Sequence, residues 1–173
     1  MALHAGDREK FAAFYTSTEA RVRAYARRCL FDPSLADDLV QEAYVRLISS
    51  ARADLPIEQR TLYLFRIVGN LVRDHWKSSR RFESLPAEGH DTVGNNSRHT
   101  SGPRFSAPEI DLSDVWRVLE KLPMRHRQIL WLAYVEEFDH IDIAQAMGVT
   151  RLSVKVLLHR ARKGFVQILE RKK

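Results

Sequence analysis

Apolar residues return every three or four positions along most of this chain and rarely alternate one by one, so the pattern predicts helices and no strands. A first helix is expected from about Arg8 to Leu30, bent near Thr16–Thr18. Asp32-Pro33 then offers a capping carboxylate followed by proline in the first turn, a strong helix start. The second helix runs to about Ser50. After a loop over Arg52–Pro56, a long third helix spans about Glu58 to Arg80. From Phe82 to Pro108 the periodicity stops. That stretch, FESLPAEGHDTVGNNSRHTSGPRFSAP, is rich in Gly, Pro, Ser and Asn and too long for a usual connection inside a compact domain, which marks a flexible linker. Helices resume from Leu112 to Leu122 and, past Pro123, from Met124 to Val135. The expected fold is all-α: two small helical domains, residues 1–81 and 110–173, joined by a flexible linker over 82–109.

The segment DHIDIAQAMGVTRLSVKVLLHRARK, Asp139 to Lys163, predicts a helix-turn-helix. Asp139 can cap the first helix, with Ile143, Ala144 and Met147 on its buried face. Gly148 falls where a tight turn needs a positive φ, Val149 plugs the turn, and Thr150 can cap the second helix. Val154, Leu158, Ala161 and Phe165 recur at helical spacing and face inward. Arg151, Lys155, His159, Arg160 and Arg162 remain for the outer and flanking surfaces, the face that base-edge and phosphate contacts require. An amphipathic hairpin with a solvated basic side has the same pattern.

Charge changes the picture in one respect. The net charge is +6, which favours a polyanionic partner. It is distributed in blocks: residues 1–81 hold 14 Lys/Arg against 10 Asp/Glu, residues 82–110 hold 2 against 4, and residues 111–173 hold 12 against 8. Two basic blocks around a mildly acidic connector suggest two separate contacts with one long anion. The single cysteine, Cys29, lies on an apolar stripe and reads as a buried structural thiol, consistent with a reducing cytoplasm. The N-terminus lacks the apolar run of a secretory signal, and no stretch is apolar for long enough to insert in a membrane.

Asp38, Gln41 and Glu42 share one face of the second helix, with Asp37 beside it and Leu35, Leu39, Ala43, Val45 and Leu47 on the buried side. An acidic patch on a basic lobe suits docking onto a basic protein surface; a solvated helix start is the alternative, since acids favour that end. The third helix, TLYLFRIVGNLVRDHWKSSRR, packs through Leu64, Ile67, Val68, Leu71 and Val72. It leaves Asn70, Arg73, Asp74, Lys77 and Arg80 as a polar and basic face with Trp76 beside it. A ring among cations is what unpaired DNA requires, because bases stack while cations track phosphates. Tyr63 and Phe65 read as core. No catalytic constellation appears, the seven histidines show no ligand spacing, and no cofactor or metal site is expected. The reading is of a binding protein, not an enzyme.

Taken together, ADDLVQEAYVRL (Ala36–Leu47), YLFRIVGNLVRDHWK (Tyr63–Lys77) and LPMRHRQILWLAYVEEFDHIDIAQAMGVTRLSVKVLLHRAR (Leu122–Arg162) resemble extracytoplasmic-function (ECF) sigma factors. These are small bacterial initiation factors with only regions 2 and 4. The likeness covers nearly all the chain apart from the first residues and the linker. It implies that Asp38, Gln41 and Glu42 contact core RNA polymerase. It implies that Asn70, Arg73, Asp74, Trp76, Lys77 and Arg80 read and melt the −10 promoter element, and that Arg151, Lys155, Val156, His159 and Arg160 read the −35 element in duplex DNA. It also implies an anti-sigma factor as a further partner. Three positions depart from the family. Glycine is common near Glu137, a small polar residue at Val156 and an arginine at Leu157, so fewer phosphate contacts and some contact with thymine methyls are expected. A free-standing, dimeric helix-turn-helix regulator and a protein–protein adaptor are the alternatives; the linker and the second basic lobe weigh against the former.

Overall fold

A computed structural model describes residues 5–83 and 112–171. Among these residues there are seven helices and no strand: α1 (Ala5–Leu30), α2 (Pro33–Ile48), α3 (Ile57–Glu83), α4 (Leu112–Lys121), α5 (Met124–Tyr134), α6 (His140–Met147) and α7 (Arg151–Glu170). The expected linker, apart from Phe82 and Glu83 at the end of α3, lies outside the described residues. Helix α1 runs unbroken through Thr16–Thr18, where a bend is expected. Its hydroxyls turn back onto their own helix, Thr16 Oγ1 donating to the Ala12 carbonyl at 2.9 Å and Thr18 Oγ1 to that of Phe14 at 2.8 Å.

The helix ends obey local chemistry. Asp32 caps α2, its Oδ1 accepting from Leu35 N–H at 3.1 Å, with Pro33 in the first turn. Asp139 caps α6, accepting from Ile141 and Asp142 N–H at 2.6 and 2.9 Å. Those amides hold its carboxyl below the ordinary carboxylate range, the Asp142 N–H contributing most. Gly148 ends α6 at φ 64, and Val149 N–H reaches back to the Ala144 carbonyl at 3.0 Å, the bond pattern of a left-handed C-terminal cap. Thr150 caps α7 through Ser153 N–H at 3.2 Å.

Helices α1, α2 and α3 form one lobe and α4 to α7 the other, yet the two share a hydrophobic core. Phe14, Val22, Tyr25, Leu47, Leu64, Phe65 and Val68 of the first join Ile129, Leu132, Ile143, Val154 and Leu158 of the second in one cluster. Helix α6 packs across α3 and α5 across α1. Tyr25 meets Phe65 edge to face at 5.3 Å, and Phe65 meets Phe138 of the second lobe at 5.4 Å. Such ring pairs add specificity beyond the area they bury. Cys29 is buried as expected, and burial pushes its thiol up to about 12.

Three positions differ from the sequence pattern. Val45 is 62% exposed: a four-residue step from Gln41 carries it onto the polar face of α2. On α6 the small residue that lies deepest is Ala146, with Ala144 only half-buried. Leu157 is half-buried against the core, so it faces away from the outer surface of α7.

The turn between α5 and α6 also explains a departure noted in the sequence. Phe138 N–H donates to the Leu132 carbonyl at 3.0 Å, and Glu137 stands at φ 55. That left-handed backbone costs a side-chain-bearing residue about 1–2 kcal/mol, and glycine would take it freely. Because glycine loses more entropy on folding, Glu137→Gly should stabilise the fold by a net of about 0.5–1 kcal/mol, a rise of ~2–3 °C in Tm. Thermal unfolding checks this; an unchanged or lower Tm would show that the glutamate side chain offsets its own strain.

Candidate nucleic-acid interface

The outer face of α7 stands clear of the rest of the molecule. Arg151, Lys155, Val156, His159 and Arg160 are all exposed, while Val154, Leu158 and Ala161 hold the helix to the core. The left-handed turn at Gly148 and the Thr150 cap fix where α7 begins. Arg162 is tied down: its Nε donates to the Tyr134 hydroxyl and its guanidinium lies 5.4 Å from that ring. His126 is half-buried near this helix, and burial, helped by the Arg160 charge, disfavours its protonation. The arrangement is a helix whose free face carries cations and no carboxylate before Glu170, suited to a phosphate-walled groove.

The acidic candidates also form one open face. Asp38, Gln41 and Glu42 are exposed on α2, joined by Val45. Glu42 Oε1 accepts from Arg46 at 2.6 Å one turn on. Asp37 is turned to α1, where Arg27 grips it at 2.8 Å and Arg23 lies 3.6 Å away. The Arg27 hydrogen bonds hold its carboxyl below the usual range. Asp37 therefore belongs to the α1–α2 contact, leaving the outward patch to the other three.

The α3 candidates are placed differently. Asp74 and Lys77 are exposed, but Asn70, Arg73 and Trp76 are half-buried, and Trp76 Nε1 is fully enclosed. Arg80 lies within α3, and its side chain is outside the described residues. Part of this face is covered by the second lobe. Gln128 of α5, 1% exposed, donates from Nε2 to the Gly69 carbonyl at 3.2 Å. A Cβ on Gly69 would stand 3.2 Å from Tyr25 Oη and 3.4 Å from that same Nε2, so a side chain there would push these neighbours back by a few tenths of an ångström. Burial pushes the Tyr25 phenol well above its ordinary value. Beside this contact Arg127 is 7% exposed. Its guanidinium lies 4.5 Å from the Phe31 ring and 5.6 Å from the Trp76 ring, and no described acceptor reaches its Nε or Nη1. Burial pulls its pKa down, yet a guanidinium remains a cation.

Two further contacts clamp the lobes. Arg21 of α1 grips Glu136 Oε2 through Nε at 2.9 Å and Nη2 at 2.6 Å, while Trp131 Nε1 donates to Glu136 Oε1 at 3.1 Å. The Arg28 guanidinium lies 3.5 Å from the Trp116 ring. Sequence reasoning missed Arg21, Arg127, Gln128 and Glu136. Only adjacent polar residues inside an apolar-periodic helix, Arg127 and Gln128, hinted at a second packed surface.

Residues 14–82 match the family model described as sigma-70 region 2, and residues 112–163 match sigma-70, region 4. The chain is 30% identical over 151 residues to the RNA polymerase sigma-E factor of Streptomyces coelicolor, covering 84% of this chain and 77% of that one. It is 27% identical over 141 residues to the ECF RNA polymerase sigma factor EcfG of Rhodopseudomonas palustris, covering 82% and 75%. Its fold is similar to that of the sigma factor RpoE from Bartonella quintana, solved in complex with the anti-sigma factor NepR. The TM-score is 0.68 at 20% identity, over 94% of this chain and 98% of that one.

The clamp yields a measurable expectation. Glu136→Ala removes the acceptor for both Arg21 and Trp131. Discounted for the solvent around Arg21, whose side chain is 47% exposed, the loss should raise the ratio of separated to packed lobes by about five- to ten-fold. Fluorescence transfer between dyes on α2 and α7 should report more of the longer distance; an unchanged distribution would show that the clamp does not hold the lobes together.

Proposed function

The chain belongs to the ECF sigma factors of the sigma-70 family, with regions 2 and 4, and from that premise we propose how its three surfaces divide the work of initiation. The outward patch of Asp38, Gln41 and Glu42 docks on core RNA polymerase. The face of α7, with Arg151, Lys155, Val156, His159 and Arg160, enters the major groove at the −35 element. The α3 face, with Asn70, Arg73, Asp74, Trp76, Lys77 and Arg80, takes up unpaired bases of the −10 element. Residues 1–81 and 110–173 are the two functional domains, and residues 82–109 connect them.

The observation that carries this reading is a difference in cover. Among the described residues the α7 and α2 faces are open, whereas on the α3 face Asn70, Arg73 and Trp76 are half-buried, with Arg127 of α5 beside the Trp76 ring. Polymerase and duplex DNA can therefore be met before the lobes part, and strand capture follows their separation. No catalytic step is required of the chain, because binding of flipped bases offsets lost stacking, at about a few kcal/mol per base. The protein works in the cytoplasm in this reading, and no described helix is long and apolar enough to cross a membrane. An anti-sigma factor is a further proposed partner, supported by the solved relative's complex with one. A free-standing regulator leaves the region 2 match without a role.

Run-off transcription with purified core polymerase over a library of genomic fragments tests the whole reading; failure to form a holoenzyme would end it. Within it, reversing Asp38 and Glu42 to lysine should weaken core binding by about ten-fold or more, measured by fluorescence anisotropy.

Asn70→Ala and Arg160→Ala separate the two DNA contacts. Asn70→Ala should reduce permanganate reactivity of the melted region more than it reduces recruitment. Arg160→Ala should do the reverse and flatten the salt dependence of binding by about one phosphate contact. Unchanged footprints in the first variant would remove α3 from strand capture.

A further inference from the structure

The free side of α7 carries an apolar ridge among its cations. Opposite the buried Val154, Leu158 and Ala161 come Leu152, Val156, His159 and Lys163, spaced by four, three and four residues, which keeps them on one line. Leu152 is 78% exposed, the most of any large hydrophobic side chain described, and Val156 is 52% exposed. Arg151 and Lys155 flank this line on one side and Arg160 on the other. No described residue covers it.

A helix in a major groove presents its outermost line to the base edges and its flanks to the phosphates of the walls, and its N-terminal turns reach deepest. In the first two turns of α7 that outermost line is Leu152 and Val156. Neither can hydrogen-bond a base. The apolar feature that the groove presents to them is the C5-methyl of thymine. The flanking cations fit a polyanion better than an apolar protein groove, since no carboxylate accompanies them before Glu170.

We propose that Leu152 and Val156 form a methyl-reading strip that selects thymines in the −35 element, with Leu152 as a specificity residue. The inference rests on the reading of α7 as the groove helix. The four-residue step from Leu152 to Val156 advances about 6 Å along the helix, close to two base-pair steps, so the selected thymines lie within about two steps of each other. Between Arg151, Lys155 and Arg160 on the walls and this strip on the floor, the first half of α7 orients by charge and discriminates by methyl contact.

Uracil differs from thymine only by that methyl, which makes the test direct. Holoenzyme assembled with core polymerase selects duplexes from a randomised library copied with thymidine or with deoxyuridine triphosphate. Thymine should be enriched at two nearby positions in the first selection and not in the second. Replacing either thymine by uracil in a selected duplex should weaken binding by about four-fold, the effect of one buried methyl group. Leu152→Ser and Val156→Ser should each abolish the discrimination at one position, and Leu152→Met, which keeps an apolar tip, should retain it. Equal consensus and affinity with both bases would overturn the strip while leaving α7 as the groove helix. So would equal weakening of both duplexes by Leu152→Ser, or loss of a protein partner with discrimination intact. Failure to select any duplex from either library would instead reject the groove reading itself.

Discussion

Gln128 reaches across from α5 to the Gly69 carbonyl, and it does so at the start of the polar flank of α3. In the proposed reading, contact of this flank with Gln128 and Arg127 competes with stacking on unpaired bases. The proposed order of events depends on that competition. The intramolecular partner has the advantage of proximity, since it is tethered to the same chain and its effective concentration is high. A nucleic-acid partner displaces it only by offering a larger difference in free energy between the packed and separated forms.

The packed form combines opposing contributions. Its favourable part is apolar: the Tyr25–Phe65–Phe138 series of rings and the core shared by α3 and α6. Against that stands Arg127, a cation removed from water with two described nitrogens lacking an acceptor. Taking a charge out of water costs several kcal/mol before compensation; the Phe31 and Trp76 rings return about 0.5–2 kcal/mol per ring, and the Glu120 charge favours the cation. Separation of the lobes would return Arg127 to water. A contact that gains by ring packing and loses by desolvating a cation is weaker than its apolar area alone would make it. The Glu136 clamp adds to the favourable side, and its partner Arg21 is half in solvent, so water can substitute for the carboxylate.

The elements themselves were legible in the sequence. Asp32-Pro33, Asp139, Gly148 and Thr150 each announced a helix end through local chemistry that acts regardless of tertiary context. The helix-turn-helix followed from those caps and the spacing of Val154, Leu158 and Ala161. Glu137 was flagged by the glycine common at that point in the family, and its positive φ supplies the physical reason. What the sequence concealed was the contact between the lobes. Phe65 and Phe138 obey the same helical period whether they face their own lobe or the other, and periodicity does not say which surface a stripe meets. Arg127 and Gln128 look like surface residues until α1 and α3 are laid over them. Val45 and Leu152 were hidden for the opposite reason: both are apolar residues at exposed positions, and hydrophobicity alone assigned Val45 inward.

Those exposed apolar side chains bear on how the surfaces differ in kind. In the proposed reading the half-buried α3 face meets DNA only after the lobes part, and the cost is shared with that step. The exposed α7 face, in the same reading, discriminates without help from a conformational change. Cations alone would give it affinity with little selectivity, because phosphates are the same at every sequence. Exposed leucine and valine at the outermost line add nothing to non-specific attraction and gain only where a methyl group meets them. An unguarded face that kept hydrogen-bonding groups there would form bonds with many base edges and with water. An apolar tip has one partner on the groove floor, and that restriction is a physical reason for such residues to stand in water on this helix.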